Sequence, residues 1–182
     1  MFLKKFVFRK TNGFTLIEML VYVATLAILT GALINFFIWS IDVNAKIKTK
    51  QTTLKEAQKA IEKILFEIRE AQSIYTPTSV FGQHPGQLSL KTTHNPPTGE
   101  TSTFIDFYLC GEQICFKKEG YEATPLTSDK TIVEQLFFTR LSASSTESIQ
   151  IGLSLKYNTP NNKPAWQAST SLTSTATIRN HE

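Results

Sequence analysis

The stretch GFTLIEMLVYVATLAILTGALINFFIWSI, residues 13–41, constrains this chain more than any other. From Phe14 to Ile41 it has 28 residues, of which 21 are apolar and one, Glu18, is charged. As a helix it would be about 42 Å long, enough to cross a hydrocarbon core of about 30 Å. A secretory signal would show a shorter apolar core followed by a small-residue cleavage site. Here the small residue, Gly13, precedes the apolar run, so a cut after it would leave the apolar segment on the mature chain. A carboxylate inside a membrane span is costly and reads as functional, with a partner.

A basic leader, then Gly-Phe-Thr-Leu-Ile-Glu, then about twenty apolar residues resembles the class III leader of type IV pilins and type II secretion pseudopilins. The resemblance implies that a membrane-embedded aspartic prepilin peptidase cuts after Gly13. It also implies that the new N-terminus, Phe14, is methylated and that Glu18 guides assembly.

Charge location matters more than its sum. The full chain carries +4 with a pI near 9.0, which by itself would point to nucleic acid. Lys4, Lys5, Arg9 and Lys10 all lie in the leader, which has no acid. Without them the 19 Lys and Arg become 15, equal to the 15 Asp and Glu, so no direct nucleic-acid contact is expected. Lysines flank both ends of the span (Lys46, Lys48, Lys50, Lys55 and Lys59 follow it), so the positive-inside rule orients it weakly. A cytoplasmic N-terminus and an extracytoplasmic globular domain rest mainly on the resemblance.

Between Asp42 and Tyr75 there is no Gly or Pro, and good helix formers dominate. Ile47, Leu54, Ile61, Ile68 and Tyr75 recur every seven residues, with Ala57, Ile64 and Ala71 between them, which is one apolar stripe on a helix. The expectation is a single helix from Phe14 to Tyr75, about 90 Å long. The stripe is either a coiled-coil seam, with Lys50 at an inner position, or a face covered by the chain's own strands. The segment IEKILFEIREAQSI resembles the end of the long helix in J-type pseudopilins and related minor pilins.

TPTSVFGQHPG, HNPPTGE and NTPNNKPA are rich in turn residues and read as loops. Between them GQLSLKTT, TSTFIDFYLC, QICFKKE, TIVEQLFFTRLS, ESIQIGLSLKY and WQASTSLTSTATIR read as strands. Ile149, Ile151, Leu153 and Leu155 share one face. The fold expected is α+β and pilin-like, one long helix packed on a mostly antiparallel sheet of about five or six strands. The boundaries expected are a cleaved leader at 1–13, a transmembrane half-helix at 14–41, an amphipathic half-helix at 42–75 and a β-rich domain at 76–182.

Chemistry-bearing patterns are sparse. His84, His94 and His181 lie in loop-like or terminal contexts without metal-ligand spacing and read as solvated. No phosphate loop, nucleophile elbow or HExxH occurs. No cofactor, metal or enzymatic activity is expected. In FYLCGEQICF, Cys110 and Cys115 bracket a hairpin-length loop that would set the thiols opposite each other, as a disulfide or as free buried thiols. A disulfide requires an oxidising compartment.

Two classes of function follow. One is an assembling subunit similar to the J-type minor pseudopilin of type II secretion or to a minor pilin. The resemblance implies that it sits near the tip of a fibre and packs against other minor and major pilins. A cytoplasmic ATPase acting through an inner-membrane platform protein would drive that assembly. Many major pilins carry a proline partway along the membrane helix; this span has only Gly31, which favours a low-abundance subunit. The other class is a membrane-tethered binding domain or enzyme using the helix as an anchor. It would leave Glu18 without a purpose.

Overall fold

A computed structural model describes residues 13–143, 146–159 and 166–179. The basic leader up to residue 12, the loop residues 160–165 and His181 lie outside the described residues. One helix, α1 (Leu16–Glu70), is followed by eight strands. These are β1 (Ala71–Ile74), β2 (Leu88–Thr92), β3 (Thr103–Cys110), β4 (Gln113–Lys118), β5 (Thr124–Pro125), β6 (Thr131–Ala143), β7 (Thr146–Tyr157) and β8 (Ser169–Thr177). The chain divides into two units after Asp42.

In the first unit the apolar window of α1 has no residue buried against protein. Three polar side chains within this unit return their hydrogen bonds to the helix itself. Thr25 Oγ1 donates to the carbonyls of Val21 and Tyr22, Thr30 Oγ1 to that of Leu26, and Asn35 Nδ2 to that of Gly31, at 2.8–3.0 Å. In lipid, where no water can satisfy such groups, this local bonding lets them stay inside an apolar helix.

In the second unit the rest of α1 lies on two antiparallel sheets, α+β as expected. The order is β1-β2-β3-β4-β5 in one and β6-β7-β8 in the other. A single core joins the helix face Ala57, Ala60, Ile61, Ile64 and Ile68 to Leu88, Leu90, Ile105, Phe107 and Ile114 of the first sheet. It continues into Leu136, Phe138, Ile149, Ile151, Leu153 and Leu155 of the second. From Ala57 to Ile68 the stripe is therefore covered by the chain's own strands. The expected single sheet is divided because β6 pairs along its length with β7, while β4 pairs with the short β5. The sheets adjoin where the Val133 amide donates to the Glu112 carbonyl at 2.9 Å. Alternation identified the strands, but it carries no information on which neighbours they choose.

The helix ends five residues earlier than expected. Thr92 Oγ1 donates to the Glu70 carbonyl at 3.1 Å, and Ala71 to Ile74 form β1, paired with β2. Ala71 and Ile74 are both buried there; three apart, they would also share a helix face, so periodicity could not tell the two states apart. At the other end of the stripe Ile47 is 49% exposed, whereas Thr49 and Thr53 are buried. Their hydroxyls donate to the carbonyls of Lys46 and Thr49, so neither is unsatisfied. Lys50 is exposed.

Candidate functional site: the N-terminal helix start

The first turn of α1 is built by the residues around Thr15. The Thr15 carbonyl accepts the Met19 amide at 3.2 Å, and the Thr15 hydroxyl accepts the Glu18 amide at 3.3 Å. Thr15 is thus the N-cap and Glu18 the third helical residue, the S/T-x-x-E pattern of a capping box. A carboxylate in the first turn faces the positive end of the helix dipole. The T-x-x-E spacing was available in the sequence, but its capping role was overshadowed by the apolar run.

Phe14 stands just before this turn, 68% exposed, with its ring edge-on to Tyr22 at 6.1 Å. Gly13 has open space where a Cβ would be, and its φ is not positive. Nothing in the described fold therefore requires glycine there. The structure brings Gly13, Phe14 and Glu18 together within one cap and one helical turn.

Cys110 and Cys115 belong to the second unit and form a disulfide with Cα atoms 5.8 Å apart. The register departs from expectation. Cys110 faces Gln113 and Cys115 faces Tyr108, so the bridge joins a diagonal pair rather than an opposite one. The cause is a two-residue turn, Gly111-Glu112, with Gly111 at φ 65°, the positive value such hairpins require at that position.

His84, His94 and the buried acid of the second unit have structural surroundings of their own. His84 is exposed, yet its Nδ1 accepts the Leu136 amide at 3.0 Å and so tethers the preceding loop to β6. His94 is exposed, its ring 6.3 Å from Phe66. The buried acid of the second unit, Glu67, pairs with Lys63, whose ammonium lies 5.0 Å from the Phe116 ring centre. Among the described residues no cluster of His, Cys, Asp and Glu could hold a metal ion.

The helix start and the domain behind it define a class: a β-rich domain carried on an N-terminal helix long and apolar enough to cross a membrane. The segment matches the family model described as the prokaryotic N-terminal methylation motif, over residues 8–34. The match covers the N-terminal motif alone; together with a long helix packed on antiparallel strands it supports a relation to the type IV pilin-like superfamily. Comparison with curated proteins and with solved structures returned no match.

Proposed function

We propose that this chain is a minor pseudopilin or minor pilin, a structural subunit at or near a fibre tip that helps to start assembly. The observation that carries this reading is the junction at residues 13–18. A glycine with no folding role among the described residues directly precedes a capped helix whose membrane-length span, up to Ile41, has its sole charge in the first turn. Residues 1–13 are then a leader removed by a prepilin peptidase. Residues 14–41 are the transmembrane and packing segment, with the N-terminus cytoplasmic and the domain extracytoplasmic. The diagonal disulfide fits an oxidising compartment.

Removal of the leader creates an amine at Phe14. In the fibre, the amine of an incoming subunit pairs with Glu18 of the subunit already in place, and this pairing sets the axial step. Helix-to-helix packing of the exposed apolar residues supplies the rest of the attraction. The assembly ATPase and platform protein belong to the same reading. The span contains no proline, only Gly31, whereas many major pilins carry a proline partway along the membrane helix; this supports a low-abundance subunit.

Copy number tests this directly. Quantitative mass spectrometry of fibres sheared from the native host should find this chain far below the major subunit, and its removal should sharply reduce fibre number. Abundance equal to the principal subunit would overturn the minor-subunit reading.

A further inference from the structure

A hollow of about 240 Å³ opens at one end of the three-stranded sheet. Helix residues Lys48, Thr49 and Thr52 line one side and Lys130, Tyr157 and Trp166 the other. Backbone pairing brings the second group together. Thr131 opens β6 opposite Tyr157, which closes β7, and the Tyr157 amide donates to the Ala168 carbonyl at 2.8 Å, just past Trp166. The Asn158 amide holds the Lys130 carbonyl at 2.8 Å.

The chemistry of this hollow is one-sided. Neither the Lys48 nor the Lys130 ammonium makes an ion pair among the described residues. The segment from residue 43 to 55 contains Lys46, Lys48, Lys50 and Lys55 and no acid. Asp129, beside Lys130, lines a separate hollow with Glu112 and Asn158. The Thr49 and Thr52 hydroxyls donate to carbonyls of their own helix, leaving the two ammonium groups and the aromatic pair to meet a ligand. Trp166 is 43% exposed.

Along the chain, Lys48 follows Ile41, the last apolar residue of the span, by seven positions. Lysines immediately beyond a span attract anionic headgroups, and Trp and Tyr favour the same interfacial layer. We infer that this hollow binds the phosphate of an anionic phospholipid headgroup through Lys48 and Lys130, with Tyr157 and Trp166 against the glycerol and upper chain. The inference rests on the membrane-spanning reading of residues 14–41. It gives the lysines a role at the end of the span where the positive-inside rule does not call for them.

The test uses the full chain in nonionic detergent, with Trp39→Phe so that Trp166 alone reports. Short-chain phosphatidylglycerol should change Trp166 emission saturably, and phosphatidylcholine should not. Lys48→Gln with Lys130→Gln should weaken half-saturation by about 30-fold, as expected for two lysine–anion contacts. Lys55→Gln with Lys59→Gln, the same charge change outside the hollow, should leave it within about twofold. Equal response to both lipids, or equal weakening by both variant pairs, overturns the inference. Saturation by inorganic phosphate at the same concentration overturns the lipid source and assigns a soluble anion. A lysine requirement seen only in crosslinking to another pilin overturns it in favour of a protein partner. Recovery of the full chain in the soluble fraction of cells would instead refute the spanning reading itself.

Discussion

The Glu18 amide is held by the Thr15 hydroxyl, 3.3 Å away, at the head of a helix that carries no other charge before Asp42. This relationship gives Glu18 two separable contributions. Its backbone completes the cap, and its carboxylate supplies negative charge at the positive helix end. Removing the Thr15 hydroxyl touches the first, and removing the Glu18 carboxylate touches the second.

Among the described residues Gly13 has no neighbour that a side chain would strike, so its replacement isolates recognition by the peptidase. Co-expression with an active prepilin peptidase should shorten the wild-type chain by 13 residues, read by intact mass. Gly13→Leu should remain full length while still inserting in the membrane. A wild-type chain left at full length beside the active peptidase would contradict the processing reading.

Ile64 is fully buried where the helix meets both sheets, whereas Ile47 on the same helix is half exposed. Ile64→Ala should cost about 2 to 5 kcal/mol, the range for truncating a core isoleucine. Ile47→Ala should stay within about 0.5 kcal/mol, as surface changes do. Chemical denaturation of the chain in detergent, followed by circular dichroism, distinguishes them. Equal effects would move the covered face of the helix.

Gly152 lies opposite Phe137 in the β6–β7 ladder, and a Cβ on it would come within 1.9 Å of the Phe137 ring. Gly152→Ala must displace that ring, at a cost of about 1 to 3 kcal/mol. In a Phe137→Ala background the same change should be neutral or stabilising, because glycine in a strand is itself unfavourable. Additive effects in the four-protein cycle would show that ring and glycine do not interact.

The Cys110–Cys115 bridge closes a loop with a sequence separation of only 5. Its contribution should be about 2 kcal/mol, below that of a long-loop disulfide. A linked peptide should appear in a non-reducing digest of exported protein, and reduction should lower the thermal midpoint without unfolding the domain at ambient temperature. Full alkylation of both thiols before reduction would contradict the bridge.

Much of this was legible from the residues because strong signals agree locally. The motif at residues 13–18 is dense, and β7 alternates apolar and polar residues with little ambiguity. Other features depended on partners distant in sequence. Ala71 and Ile74 fit a helix or a strand equally, and β2 alone decided between them. Thr49 and Thr53 are polar by composition, but each spends its hydroxyl within the helix and so can be buried where Ile47 is not. β5 has two residues, too few for any period. The cysteine register followed the turn at Gly111, which loop length alone left open.

The most direct test of the assembly account is crosslinking between this chain and partner pilins in the native host, for wild type, Glu18→Val and Thr15→Ala. All three should be cleaved after Gly13 and should insert. Thr15→Ala loses about 1 kcal/mol of capping and should still crosslink and form fibres, because its carboxylate is intact. Glu18→Val should lose both the crosslinks and the fibres. Normal crosslinking and fibre formation by Glu18→Val would contradict the charge-pairing mechanism and leave the apolar helix as the sole assembly element.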